Sequence, residues 1–336
     1  MEKSSTIAII GAGSWGTALS MTAAWRNHEV SVWAREQEVL DAVRDRGENT
    51  LFLPGFAIPE GVCFSHDIAE VLAGAEVVLT VVPTQYCRDV FQAMRPHISE
   101  EMLFVSATKG IENKTLLRVS QILDAVLGPG LMARIAALSG PSFAREVAAG
   151  RPTAVTVASQ DSETAVAVQE ALSSDTFRIY TSTDITGVEL GGALKNIIAI
   201  AAGIVEGLGL GSNTMAALVT RGLAEIERLG IAMGGQAATI SGLSGMGDLV
   251  LTCTGMLSRN RSVGIEIGKG RTVKEITNGM RMVAEGISTT QGVMELSKKN
   301  GVEMPIAAKV NEILYNGKDP TIAVKELMGR ALKAET

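Results

Sequence analysis

Apolar residues in this chain fall into short unbroken runs divided by helical periods. The first run, Ile7-Ala8-Ile9-Ile10, stops at a glycine, and a helical pattern over 15–26 begins at once. Further strand segments read at 29–33, 62–64, 76–82 (closed by Pro83), 102–107, 135–138, 153–158 and 177–181. Such runs, rich in β-branched residues and bounded by turn residues, are what a parallel sheet covered on both faces requires. Helical segments are predicted between them at 68–72, 85–94, 116–126 and 164–172, and the proline-punctuated stretch 51–59 reads as a loop. Past residue 181 the strand pattern disappears. Asp184 caps a helix that carries Val188, Leu190, Leu194, Ile197 and Ile198 on to Leu208, and Gly207, Gly209 and Gly211 close it. A second helix over 213–229, a glycine-rich loop from Ser241 to Asp248 and further helices follow. The expected fold class is therefore α/β, with an N-terminal mostly parallel sheet domain over 1–180 and a C-terminal all-helical domain over 181–336. A length of 336 residues suits two domains.

The handover from the first run to its helix reads Gly11-Ala12-Gly13-Ser14-Trp15-Gly16, a G-x-G-x-x-G between strand and helix. That context marks a Rossmann-type dinucleotide-binding unit. Gly11 makes the tight turn, Gly13 lets a pyrophosphate approach the backbone, and Gly16 lets the helix pack close to the strand. The end of the second strand normally carries a ribose-binding acid. Here Ala34-Arg35 stands there, with Glu36 one place later. An arginine pairs with a 2′-phosphate, which favours NADP(H). The alternative is a solvated Arg35 on an ordinary loop, which leaves NAD(H).

Composition narrows the class further. Apolar residues make up 46% and charged residues 20%, enough for an ample core in a water-soluble chain. A net charge of −6 argues against nucleic-acid binding, so any anion site is local. Cys63, Cys87 and Cys253 are scattered and odd in number, which reads as reduced thiols in a cytoplasmic protein. His28, His66 and His97 have no zinc-binding spacing, so no metal is expected. The N-terminus has no signal-peptide pattern. The apolar run 197–205 is too short to span a bilayer and is flanked by Lys195 and Glu206, so the chain is expected not to insert in a membrane. A helical domain of high apolar content is compatible with a homodimer.

Several polar residues stand where chemistry needs them. Lys109 follows the fifth strand, beyond whose carboxyl end ligands of open α/β sheets lie. A surface lysine in a turn is the plainer reading of that residue alone. Gly140-Pro141-Ser142 presents backbone N–H groups in a turn that either binds an oxyanion or simply starts a helix. Lys195 lies among Leu194, Ile197 and Ile198; burial would disfavour its charge and suit it to proton transfer, unless it snorkels to solvent. Asn196 adjoins it and is placed to orient a substrate hydroxyl. Asp248 either pairs with Lys195 or caps the next apolar segment. Ser258-Arg259-Asn260 sets a hydroxyl, a guanidinium and an amide in a row, and arginine grips phosphate in bidentate fashion.

Taken in order, these segments resemble the bacterial NAD(P)-dependent glycerol-3-phosphate dehydrogenases over nearly the whole chain. The resemblance rests on 11–18, Ala107-Thr108-Lys109-Gly110-Ile111-Glu112, 140–144, Lys195-Asn196, Gly242 with Met246-Gly247-Asp248-Leu249, and 258–260. It implies reversible reduction of dihydroxyacetone phosphate to sn-glycerol 3-phosphate for phospholipid synthesis. It also implies cofactor contacts at Ser14, Trp15, Arg35, Lys109, Ala144, Arg259, Val283 and Glu285, with Gly11, Gly13 and Gly16 beneath. Substrate contacts are implied at Lys109, Gly140, Ser142, Lys195, Asp248, Ser258, Arg259 and Asn260, with Lys195 as the proton acceptor. Two alternatives stay open from sequence: a related β-hydroxyacid dehydrogenase, and a cofactor-sensing regulator without catalysis.

Overall fold

A computed structural model describes residues 4–128, 130–279, 284–332 and 334–335. Eight strands form one sheet: β1 (Thr6–Ile10), β2 (Glu29–Trp33), β3 (Val62–Ser65), β4 (Val77–Thr80), β5 (Leu103–Ser106), β6 (Ile135–Ser139), β7 (Thr153–Ser159) and β8 (Phe177–Ser182). Their spatial order is β3-β2-β1-β4-β5-β6-β7-β8. Every neighbouring pair is parallel except β6–β7, so the mostly parallel α/β class holds. The order reverses between β1 and β4, the crevice where α/β sheets receive ligands. Helices on the sheet are α1 (Ser14–Ala24), α2 (Gln37–Arg46), α3 (Ile68–Leu72), α4 (Thr84–Met94), α5 (Val119–Leu127), α6 (Ala144–Ala148) and α7 (Ser162–Leu172). Both faces of the sheet are covered by separate apolar clusters, which is why its central strands β1, β4, β5 and β6 read as nearly continuous apolar runs.

After β8, among the described residues, the regular elements are helices: α8 (Ile185–Gly207), α9 (Gly211–Ala232), α10 (Ala237–Ile240), α11 (Asp248–Thr254), α12 (Arg259–Gly268), α13 (Val273–Asn278), α14 (Glu285–Lys299), α15 (Pro305–Asn316) and α16 (Pro320–Met328). Asp184 caps α8 by accepting from the Gly187 N–H at 2.8 Å. The run 197–205 understates this helix. α8 is long and apolar enough to cross a membrane, yet its whole apolar window is buried in the protein. It is a core helix, and a third apolar cluster gathers around it.

Three local differences have clear causes. The pattern gave no clear sign of α2, because its apolar stripe is short: Val39 is its only fully buried residue, with Leu40 and Val43 partly buried among charged side chains. α5 starts three residues later than expected, because Leu116 sits at φ +62, where a helix cannot begin. The stretch 241–248 is not a plain loop: 243–247 winds into a wide π-type turn, and Asp248 opens α11 directly after it.

Small residues let α8 and α12 touch backbone to backbone. A methyl group at Gly203 would lie 2.0 Å from the Arg261 carbonyl oxygen, and one at Gly264 would lie 2.0 Å from that of Ile200. Gly203→Ala is expected to destabilise the protein by about 1–3 kcal/mol through forced separation of the two helices. Urea denaturation of the variant beside the parent measures this; an unchanged midpoint would show that the helices can part without cost.

Candidate functional site

The glycine turn sits at the switch point of the sheet. Gly11 adopts φ +119, and a methyl group there would lie 2.8 Å from the Val81 carbonyl oxygen of the loop after β4. At Gly16 the same addition would meet the Gly11 carbonyl oxygen at 1.9 Å. Gly13 differs: nothing stands within 4 Å of the position its side chain would occupy. The space beside that backbone is open, and α1 starts there with no side-chain cap and no acid in its first turn. The donors of the helix end are thus left for an anion such as a pyrophosphate, so the turn fits a dinucleotide. Ser14 is the first residue of α1, and Trp15 packs its ring on Phe177, with centroids 6.3 Å apart. Arg35 is exposed, lies over the Tyr86 ring at 5.8 Å, and donates to Glu36 Oε1 at 3.0 Å.

Across the crevice, Asp248 joins the two halves of the chain. Its Oδ1 accepts from Lys195 Nζ of α8, and its Oδ2 accepts from Lys109 Nζ, beyond β5, at 2.6 Å. Lys195 is 6% exposed and Asp248 1%. Lys195 also donates to Thr252 Oγ1 at 2.7 Å, and Thr252 donates to Asp248 Oδ1 at 3.2 Å. Lys109 donates further to the Gly140 carbonyl at 3.1 Å, as does the Ser142 hydroxyl at 2.9 Å. Burial holds the Lys195 ammonium down at about 8, against the pull of Asp248, while Lys109 pushes the same way as burial. Burial alone would raise the Asp248 carboxyl, but the two lysines outweigh it and its affinity for protons falls. Gly191 and Gly192 admit these partners. A side chain on Gly191 would strike the Ser244 carbonyl at 2.7 Å, and one on Gly192 the Ser139 hydroxyl at 2.5 Å.

A second polar group lies further along α8. Asn260 Nδ2 donates to Asn196 Oδ1 at 2.9 Å, and Asn260 Oδ1 accepts from the Gly286 N–H at 3.0 Å, tying α8, α12 and α14 together. Ser258 caps α12 by accepting from the Arg261 N–H at 3.2 Å, which leaves the exposed Arg259 first in that helix. Arg259 and the half-buried Glu285 attract each other. Glu285 Oε1 accepts from the Thr84 N–H at 3.2 Å, a bond from α14 to α4. Burial pushes its carboxyl up to about 7. Ala144 opens α6 directly after the Gly140 turn. Val283 lies outside the described residues.

The structure therefore brings Lys109, Gly140, Ser142, Lys195 and Asp248 into one bonded group, and Arg259 and Glu285 into another that senses both lysines. Arg35 stands apart beside Tyr86. A cavity of about 1140 Å³ opens at the opposite end of the strands, near Ser5, Glu76 and Leu103, and none of the site residues lines it. Sequence reasoning missed Thr252 and Thr84. For Thr252 a signal existed: it lies four residues after Asp248, on the same helix face.

A doubly wound sheet with a glycine turn, facing a helical unit that carries a buried lysine to the crevice, is the build of a nicotinamide-dependent dehydrogenase. Two family models match the chain: NAD-dependent glycerol-3-phosphate dehydrogenase N-terminus over residues 6–165 and C-terminus over residues 184–325. The chain belongs to the NAD-dependent glycerol-3-phosphate dehydrogenase family. It is 57% identical to the glycerol-3-phosphate dehydrogenase (NAD(P)+) of Citrifermentans bemidjiense over 98% of each chain. It is 54% identical to that of Koribacter versatilis over 98% of this chain and 99% of the other. The crystal structure of glycerol-3-phosphate dehydrogenase from Coxiella burnetii superposes with a TM-score of 0.93 at 41% identity, covering 97% of this chain and 99% of that one.

Asp248→Asn would leave two lysines facing each other in a buried crevice. The expected loss of stability is about 3–5 kcal/mol, read from urea denaturation. The sign for Lys195 is also fixed: Asp248 holds its proton on, so in the variant the amine loses that proton at lower pH. Labelling of Lys195 by an amine-specific reagent across pH follows this, and an upward shift would contradict the pairing.

Proposed function

We propose that this chain is an NAD(P)-dependent glycerol-3-phosphate dehydrogenase that reversibly reduces dihydroxyacetone phosphate to sn-glycerol 3-phosphate, the backbone precursor of phospholipids. The carrying observation is the buried Lys195 held on Asp248, in a chain that matches this family over residues 6–165 and 184–325. The two units, 1–180 and 181–336, divide the work: the first takes the cofactor and the second supplies the proton and the phosphate grip. Three free, scattered cysteines are consistent with a cytoplasmic setting.

The bound nicotinamide cofactor supplies or receives the hydride. Gly13 and the start of α1, with Ser14 and Trp15, take its pyrophosphate, and Ala144 lies alongside. Arg35 is placed at the ribose end, where it would read a 2′-phosphate, and NADP(H) is the favoured partner over NAD(H). Arg259 and the start of α12, with Ser258 and Asn260, grip the substrate phosphate. Holding that remote group sets the carbonyl against Lys195 and supplies much of the rate by orientation. Negative charge grows on the carbonyl oxygen during reduction. Protonated Lys195 gives that oxygen its proton, and Lys109, fixed by Asp248 and the Gly140 carbonyl, adds positive potential. In the reverse direction neutral Lys195 takes the proton from the hydroxyl.

The direct test is oxidation of NADH and NADPH in parallel with dihydroxyacetone phosphate; no turnover with either would reject the function. Lys195→Ala is expected to cut kcat by at least about 100-fold while the cofactor Kd stays within about twofold. Near-normal kcat would remove Lys195 from the mechanism. With the amine near 8, kcat/KM for sn-glycerol 3-phosphate oxidation rises with pH and levels off above about 8, because only the neutral amine accepts a proton. Arg259→Ala is expected to raise KM for the phosphorylated substrate by about tenfold or more. An unchanged KM would place the phosphate elsewhere.

A further inference from the structure

Asn49 lies wholly buried shortly after α2, yet the mechanism above gives it no part. Both hydrogens and the oxygen of its side-chain amide are engaged. Nδ2 donates to the Ala12 carbonyl at 2.8 Å and to Thr17 Oγ1 at 2.9 Å, and Oδ1 accepts from the Phe52 N–H at 3.1 Å. Two of these bonds run to the glycine turn and to α1, 37 and 32 residues away. Thr17 Oγ1 itself donates to the Ala12 carbonyl at 3.3 Å, so that oxygen receives two donors. The base on which Asn49 stands is closed. The Ile58 N–H donates to the Gly47 carbonyl at 2.8 Å, Glu48 bridges to Ala57, and Leu53 is buried in an apolar cluster of the sheet. Arg145 of α6 lies over the Phe56 ring at 5.4 Å and fastens the far side of the loop. The stretch read as a plain loop is an anchored brace against the glycine turn.

Across a trans peptide the carbonyl and the following N–H point apart. Drawing the Ala12 carbonyl onto Asn49 therefore turns the Gly13 N–H the opposite way, and Gly13 is where the backbone stands open. Glycine has no Cβ to resist rotation of that peptide. Without the hold, the carbonyl rather than the N–H can face an anion at the turn, and its dipole repels the charge. Resting on the dehydrogenase reading above, we propose that Asn49 is a positioning residue for the cofactor pyrophosphate: from behind the turn it locks the Ala12–Gly13 peptide, without touching the nucleotide. Donors fixed in advance bind an anion without the cost of ordering them. Loss of the lock weakens the grip on any ligand that carries a pyrophosphate. The substrate side of the crevice is unaffected, since Lys195 and Asp248 are set by α8 and α11.

The test is calorimetric binding of NADPH, NADH and adenosine diphosphate, which carries a pyrophosphate without the nicotinamide. It is run on the intact parent, Asn49→Ala and Asn49→Leu, with circular dichroism melts to show which variants are folded; leucine keeps the bulk of the side chain. Kd is expected to rise by about tenfold, and by a similar factor for all three ligands. At saturating NADPH, kcat and KM for dihydroxyacetone phosphate should stay within about twofold. Thr17→Val keeps the Asn49 bond to Ala12 and should leave Kd within about threefold. A role in stability alone would lower the melting temperature and leave Kd unchanged. A folded Asn49 variant of that kind overturns the proposal, as does a loss confined to the nicotinamide-bearing ligands or an equal loss on the substrate side. Nuclear magnetic resonance of the isotope-labelled parent tests the lock without any substitution. The Asn49 side-chain hydrogens should resist exchange with solvent both before and after NADPH is added, and rapid exchange before addition overturns the lock. A folded parent that binds neither NADH nor NADPH rejects the dehydrogenase reading itself, and this inference with it.

Discussion

Asp248 is the constraint on which the rest of the molecule depends. One carboxylate, 1% exposed, is shared between an ammonium from the sheet unit and another from the helical unit. Burying three charges is costly, and only close mutual pairing offsets that cost. The offset here is incomplete, because two lysines face one acid. The surroundings act to preserve it. Thr252 supplies a neutral partner to Lys195, and the Gly140 carbonyl supplies one to Lys109. The π-type turn over 243–247 sets Asp248 at the first residue of α11, where a helix end favours a carboxylate.

Such a group requires α8 to be placed with little freedom, and the packing around it meets that need. Glycines 203 and 264 close the contact with α12 to the backbone. Asn196 and Asn260 then lock the rotation of one helix against the other and catch α14 through Gly286. Towards the sheet, Glu189 of α8 accepts from Ser120 N–H at 2.8 Å and pairs with Arg118, both at the start of α5. The amino-terminal half of α8 is therefore fixed to one unit and the carboxyl-terminal half to the other, and Lys195 lies between the two anchors. A buried ion pair is a weak source of stability but a strong penalty on misplacement.

How much of this was legible in the sequence depended on whether a signal was local. The central strands β1, β4, β5 and β6 were legible because they are buried on both faces and leave nearly unbroken apolar runs. By contrast, β2 and β8 bury alternate residues and β3 is only partly buried, so these read as strands from short β-branched and aromatic segments between turns. The α8 cap was legible because Asp184 acts on Gly187, three residues away. α2 was not, since Val39, Leu40 and Val43 make only a short stripe among charged residues and only Val39 is fully buried. Lys195 stood out among apolar neighbours, but Lys109 could be read as an ordinary turn lysine. Its link to Asp248 spans 139 residues and that of Lys195 spans 53, so nothing in either segment declares that one acid serves both. The wide turn before Asp248 was equally hidden, because its glycines suit a loop as well as a tightly packed turn.

That sharing also explains the poise of Lys195. A buried lysine with no acid would lose its proton well below neutrality, and one with an acid to itself would hold it far above. Here burial lowers the amine, Asp248 raises it, and Lys109 takes part of the carboxylate's field while adding its own repulsion. The balance leaves the amine at about 8, close enough to neutrality for it to give a proton in one direction and take it in the other. A reversible oxidoreduction needs that two-way competence, since the same group must serve as acid and as base along one path. Had Lys109 bonded only to Gly140, the full carboxylate would hold the proton on Lys195, and under the proposed mechanism the reverse reaction would lack a base. Under the proposed mechanism the second lysine would therefore act on Lys195 through the acid they share, as well as on the charge that develops in the substrate.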